Sequence, residues 1–309
     1  MKKYLMALFV VLFLFGCTST EDSSTSNRFI GGTTGLTLSF VDGEPPSVVG
    51  DNAEDEFDVS ILAINDGEAD IDSGRLIVTL QGVERDAFSM SSLSQSSPTK
   101  LEKKTKIRDT VTESDQLEIR FKRMNYKYNL DSDFPVDLRA DVCYEYNTKA
   151  VADICLKKKP NDDTTEDLCT VNNENMGLEN SGAPVHVVSM SQIPRSSSIK
   201  LTFDIMTQGT GMVYAPGVFG SECVETPDMD EQVRVKVSTT GNIPIKCSRL
   251  NDGSEGIVDL ISGGRTVSCD IETSGLQETA FSKPINIELS YMYKDSIATS
   301  FTVENTDFN

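Results

Sequence analysis

The chain has 309 residues, with 28 Lys and Arg against 48 Asp and Glu, a net charge of −20, one histidine and no tryptophan. That length leaves room for about two domains. The acidity opposes binding to nucleic acid and to anionic headgroups, and one histidine cannot supply the two-histidine motifs of metal-dependent proteases.

The first element is a leader. Lys2 and Lys3 precede an apolar run from Leu5 to Gly16, 12 residues long. As a helix it spans roughly 18 Å, short of the ~30 Å hydrocarbon core of a bilayer. A basic start, a short apolar middle and a small residue before the break predict a secretory signal peptide over 1–16. Leu14-Phe15-Gly16-Cys17 also resembles the lipobox of prokaryotic lipoproteins, with Leu at −3, Gly at −1 and Cys at +1. Phe15 departs from it, since a small or β-branched residue is usual there. The resemblance implies cleavage before Cys17 and a lipid on its sulfur, holding the chain at the outer face of the cell membrane. Losing Lys2 and Lys3 with the leader takes the net charge from −20 to −22. "TSTEDSSTSNR" follows with no apolar residue, so 17–30 reads as a polar tether.

Beyond the tether, helical periodicity gives way to alternation. Phe57, Val59, Ile61 and Ala63 alternate with polar or small residues, as do Leu76, Val78 and Leu80, and then Leu117, Ile119 and Phe121. "VDLRADVCYEY" puts Val136, Leu138, Ala140 and Val142 on one face and Asp137, Arg139, Asp141 and Cys143 on the other. A turn near 147–150 would make it a hairpin with "VADICL". The stretch "SMSSLSQSSPTKLEKKTK" reads as a long surface connection. "KKKPNDDTTED" is polar and contains Pro160, which predicts a loop-rich link over 159–183 between a first domain at 31–158 and a second at 184–309. In the second, Leu201, Phe203 and Ile205 alternate, then Val233, Val235 and Val237, and finally Ile285, Ile287, Leu289, Tyr291 and Tyr293. Turn signals at Asn65-Asp66-Gly67, Asn251-Asp252-Gly253 and Gly263-Gly264 separate the runs. The expected fold is all-β: two antiparallel β-sandwiches of Ig-like type.

With Cys17 set aside for lipid, six cysteines remain: Cys143, Cys155, Cys169, Cys223, Cys247 and Cys269. An even set in an exported chain reads as disulfides. Zinc is a poor alternative, because no CxxC occurs and His186 is the only histidine. Spacing leaves many pairings open, and strand parity is the guide. Cys143 and Cys155 fall on the polar faces of the expected hairpin and should bridge it. Cys247 shares an apolar face with Ile243 and Ile245, and Cys269 with Val267 and Ile271, so these two should pair inside. Cys169 and Cys223 are left for each other.

"FDVSILAINDGEADIDSGRLIVTL" resembles the strand, Asn-x-Gly turn and strand of Ig-like modules of the CARDB type, found on prokaryotic surface proteins. "GGTTGLTLSF" and "VCYEYNTKAVADICL" are similar to segments of secreted archaeal proteins that carry such modules. The resemblance implies an extracellular interaction or scaffold module and brings no catalytic residue with it.

Chemistry is sparse. A Ser-His-Asp arrangement could use only His186, which alternates out of phase with Val185 and Val187, and no G-x-S-x-G elbow occurs. Acid clusters at Asp51 to Asp58, Asp131 to Asp137 and Glu225 to Glu231 are hard ligands that calcium accepts, yet none matches an EF-hand loop, so a solvated acidic face is the better reading. No catalytic residue, metal or cofactor is assigned. The preferred function is a non-enzymatic envelope lipoprotein whose β-domains bind an envelope protein or glycan, or build the surface. The alternative is an envelope enzyme acting on glycans through paired acidic residues.

Overall fold

The computed structural model describes residues 27–108, 110–162, 167–172, 176–224, 230–241, 243–251 and 253–306. The leader, Cys17 and most of the tether lie outside the described residues. Among the described residues eighteen strands follow one another and no α-helix occurs. The first nine are β1 (Leu36–Phe40), β2 (Val48–Gly50), β3 (Phe57–Asn65), β4 (Leu76–Gln81), β5 (Ser94–Ser96), β6 (Lys106–Ile107), β7 (Thr110–Val111), β8 (Asp115–Met124) and β9 (Phe134–Leu156). Then come β10 (Glu179–Asn180), β11 (Val185–Pro194), β12 (Ser198–Thr207), β13 (Met212–Tyr214) and β14 (Gln232–Thr239). The chain ends with β15 (Ile245–Cys247), β16 (Glu255–Asp259), β17 (Gly264–Glu272) and β18 (Phe281–Glu304). The fold is all-β and overwhelmingly antiparallel, as alternation predicted. The parallel pair is β2 with β18.

One sheet organises the rest. Its order is β16-β14-β18-β9-β4-β5, and all 23 residues of β9 pair with β18. At ~3.3 Å per residue the two strands run together for about 75 Å. Two smaller sheets cover its inner face: β1-β3-β8 over one half, and β11-β12-β17-β15 over the other. The buried side chains form one continuous core from Leu36 and Phe57 to Val267 and Ile271.

Three expectations change here. The turn near 147–150 does not form. Thr148 and Ala150 keep the inward parity that runs from Val136 to Leu156, and both are buried. No glycine supplies the positive φ that a tight hairpin turn needs, so the chain goes straight on. The boundary at 159–183 does not separate the sheets either. Tyr293 to Val303 pair with Tyr144 to Phe134, so the final strand of the 184–309 segment completes the sandwich of the first segment. Two sandwiches are present, fused through shared strands. The link itself is pinned: Glu179 and Asn180 pair with β9, and the nearly buried Lys157 Nζ donates to Asp167 Oδ2 at 2.5 Å. Within the serine-rich connection, Ser94–Ser96 pairs with β4 instead of remaining a loop.

Two turn signals can be followed. Ser262 (φ 53°) and Gly263 (φ 77°) make the two-residue reversal into β17. Asn65-Asp66-Gly67 is an arch, since it carries the chain from β3 in a covering sheet towards β4 in the large one.

Candidate functional site

The sequence places Tyr144 and Tyr146 two apart on β9, and Tyr291 and Tyr293 two apart on β18. Period two puts all four on the inner face. Register then sets Tyr144 opposite Tyr293 and Tyr146 opposite Tyr291, at the middle of both strands. This waist lies between the two covering sheets, and the rings fill it. Tyr144 packs on Tyr146 and Tyr293, with centroids 5.5 and 5.7 Å apart.

Each hydroxyl fastens a different incoming segment. Tyr144 Oη accepts from the Leu36 amide at 3.3 Å. Tyr146 Oη donates to Asn65 Oδ1 at 3.1 Å and accepts from the Ala69 amide. Tyr291 Oη lies 3.0 Å from Thr148 Oγ1, which itself donates to the Val185 carbonyl. Tyr293 Oη accepts from the Gly211 amide at 2.6 Å. Burial pushes the Tyr144, Tyr146 and Tyr291 phenols well up and Tyr293 up to about 12, so all four are neutral at physiological pH. The close approach fixes Gly67: a Cβ there would overlap Tyr146 Oη and the Gly182 carbonyl.

The outer face of the waist carries a strap. After β13, which pairs with Met292 to Lys294, Tyr214, Phe219 and Cys223 fold over Ile77, Cys143 and Met292 to form a second, small core. Cys143 is bonded to Cys223, and the Cys223 amide donates to Thr79 Oγ1 at 3.1 Å. Nearby, Asp141 is buried between Lys294, 3.3 Å away, and Arg139 at 2.8 Å.

The other bonds are Cys155–Cys169 and Cys247–Cys269. The inner pair is the expected one, with Cys247 directly opposite Cys269 and both fully buried. The pairs Cys143–Cys155 and Cys169–Cys223 are corrected. Cys143 and Cys155 do share the outer face, but without a turn they stand 12 residues apart on one strand, about 40 Å. Cys143 instead bonds the strap over the waist, and Cys155 bonds the link at the far end of β9. Three disulfides are compatible with an exported chain.

A notch of about 230 Å³ opens beside the waist, lined by Asp70, Asp72, Glu145 and Tyr146 among others. These are the closest approach to the expected acidic pairs, and two of the carboxylates already hold cations. Glu145 meets Arg75 at 3.0 Å and Asp70 meets Lys100 at 3.1 Å. Burial pushes the Asp70 carboxyl up, but the Lys103 amide and Lys100 outweigh it and leave it below the usual range. That suits a fixed anion, whereas a general acid needs the opposite shift.

The acid clusters serve the backbone. Asp51 accepts from the Leu130 amide at 2.7 Å and from both the amide and hydroxyl of Thr306. Asp55 accepts from Gly50, Asp58 from Arg123 and Asp133 from Asn305. Residues 225–229 of the third cluster lie outside the described residues, while Glu231 accepts from Gly263. Among the described residues no three His, Cys, Asp or Glu side chains converge on a point that could hold a metal. His186 is half-buried. Burial pushes it down, against the backbone carbonyls of Gly32, Ala183 and Ser181.

The tyrosine waist is the feature that sequence reading missed. Its signal was the repeated Tyr-x-Tyr, Tyr144-Glu145-Tyr146 and Tyr291-Met292-Tyr293, in the two longest alternating runs. No protein-family model matches this chain, and no curated protein matches it.

Proposed function

We propose that this protein is a non-enzymatic lipoprotein of the cell envelope, exported, anchored through a lipid on Cys17, and used as a rigid β-rod that binds or builds at the surface. The observation that carries the reading is the pair of full-length strands through both sandwiches. A binding or structural element gains from stiffness along its length, and β9 and β18 supply it without an interdomain hinge. The first described residues fit a tether entering at one end. Arg28 Nη2 bonds Asp153 at 3.0 Å and its amide meets Glu179, both on the second sandwich. Arg28 lies eleven residues after Cys17, a contour of at most about 40 Å. The second sandwich is then the membrane-facing base and the first the outward tip. A surface this acidic is repelled by anionic headgroups, which favours standing off from the bilayer. The resemblance to CARDB-type modules belongs to the same proposal.

Replacing Cys17 by Ser in the full chain tests the anchoring. Release from the membrane fraction, or a block in maturation, is expected. A variant that stays membrane-bound and processed like the parent overturns it.

A further inference from the structure

The first sandwich has a second concavity, of about 680 Å³, at the open side between β8 and β5 and towards the tip. Its chemistry differs from that of the rest of this acidic chain. One wall is the hydroxyl-rich loop with Ser89, Ser91 and Ser92, and the other is the end of β8 with Lys122 and Arg123. Among the described residues neither cation forms an ion pair within 4 Å, although Lys122 lies close enough to help hold the Glu118 carboxyl down, and Glu56 is the carboxylate among the groove's lining residues. The neighbouring Arg120 is engaged, 2.6 Å from Glu118 and 3.6 Å from Asp58.

The two walls are held in sparsely populated backbone conformations. Arg123 has φ 56° and Ser89 has φ 54°, in the left-handed region that non-glycine residues seldom adopt. Both are over-determined by neighbours. The Arg123 amide donates to Asp58 Oδ1 at 2.9 Å, and Ser89 Oγ donates to Asn125 Oδ1 at 2.8 Å, which ties one wall to the other. Conformations of this kind, held in place by surrounding contacts, cluster at ligand clamps and active sites. Behind the groove, Phe88 packs on Tyr126 at 5.3 Å, and Tyr126 on Tyr128 at 6.0 Å. The stack begins in the core at Phe57 and Phe301 and ends on the half-exposed Tyr128.

We propose that this groove binds an acidic polysaccharide: serine hydroxyls and the Gln95 and Asn125 amides meet the sugar hydroxyls, and Lys122 and Arg123 meet its carboxylates or sulfates. The volume is that of a small-ligand cleft, enough for a few sugar units. A neutral glycan would leave the two cations unused, and a plain acidic peptide would leave the hydroxyl wall unused. The position is also apt. Asp153, where Arg28 docks, and Val136, whose partner Phe301 packs on Phe57 beside the groove's Glu56, are 17 residues apart on β9, about 55 Å. Presentation outward rests on the anchoring proposed above; the ligand class rests on the groove alone.

The test is binding of the full chain, in detergent, to a carboxylated oligosaccharide (oligogalacturonate), a sulfated one (heparin-derived), an uncharged one (maltooligosaccharide) and polyglutamate. At least one anionic sugar should bind, weakening as salt rises from about 50 to 500 mM. The double variant Lys122→Gln, Arg123→Gln should weaken it by about tenfold or more. Ser91→Asp, which places an anion on the opposite wall and leaves both cations in place, should do the same. Lys149→Gln, at an exposed cation on the second sandwich, should not. The proposal is overturned if no anionic sugar binds, if the double variant binds as the parent does, or if polyglutamate binds as tightly as the sugars. Fractionation of Cys17→Ser reads the anchoring separately, so the two proposals fail independently.

Discussion

The two sandwiches share their central strands but are fastened by different chemistry. In the first, side-chain carboxylates hold the loops to the sheets. Asp51 draws the Leu130 and Thr306 segments together, Asp66 gathers Lys104, Thr37 and Ser114, and Asp70 caps the Lys103 amide. In the second, two disulfides add to such contacts: Cys247–Cys269 staples the covering sheet, and Cys155–Cys169 pins the link to β9 beside the Asp167 carboxylate that holds Lys157 and Ala280. One continuous sheet thus joins an end fastened mainly by carboxylates to an end that also carries two disulfides, so acid should loosen the first before the second and reductant the second before the first. The tyrosine waist lies where they meet, and its neutral hydroxyls respond to neither.

The largest effect should come from removing the inner staple. Cys247→Ala with Cys269→Ala should cost about 2–5 kcal/mol in denaturant unfolding. Amide exchange should rise in β11, β12 and β17 and change far less in β3 and β8. Equal loss of protection in both sandwiches would mean that the shared strands couple them fully.

Gly67→Ala comes next. The added methyl meets Tyr146 Oη and backbone on two sides, an overpacking that costs about 1–3 kcal/mol. Combining it with Tyr146→Phe should recover part of the loss, because the hydroxyl is one of the atoms in the way. No recovery in that double-variant cycle would place the strain in the backbone alone.

Acid should then separate the two ends. The Leu130 amide and the Thr306 hydroxyl hold the Asp51 carboxyl below 3.8, against burial. Burial pushes Asp66 up, but Lys104, Thr37 and Ser114 together more than reverse it. A carboxyl lowered in the folded state stabilises it above the unfolded value and loses that contribution as pH falls through the folded one. Stability should therefore drop below about pH 4, first in the loops around Asp51, as read by exchange or limited proteolysis with an acid protease. Asp51→Asn should lower the melting temperature at neutral pH and flatten the acid limb. An unchanged acid limb would assign the sensitivity elsewhere.

The smallest effect is kinetic. Cys169 is only half-buried, whereas Cys143, Cys223, Cys247 and Cys269 are enclosed. Graded reduction with thiol mapping should open Cys155–Cys169 first. Earlier opening of Cys143–Cys223 would show that the strap lifts before the link does.

Much of the strand inventory was legible in the sequence. Phe57–Asn65, Leu76–Gln81 and Ser198–Thr207 stand where alternation put them, and the inner parity from Val136 onward holds through Leu156. The residues at 147–150 misled because Asn147 and Lys149 look turn-like, although Thr148 and Ala150 never left the inward phase. The strap was illegible for another reason. Tyr214, Phe219 and Cys223 show no periodic pattern, and they cover β9 from 80 residues away in the case of the Cys143 bond. The groove lay in "SMSSLSQSS" and "KRMNYKY", which as sequence are polar loop and strand end.

The sequence by itself determined which side of each strand faces inward, because side chains alternate with a period of two and that period is local. It also determined that Cys247 and Cys269 lie on apolar faces and Cys143 and Cys155 on outer ones. Only the tertiary structure decided that β9 and β18 run unbroken through both sandwiches and that Cys143 meets Cys223. It likewise decided that four tyrosines meet at the waist. Those are choices of partner and of register among even-residue shifts, and they are made by the packing of distant segments; local alternation forbids odd shifts but does not choose the partner.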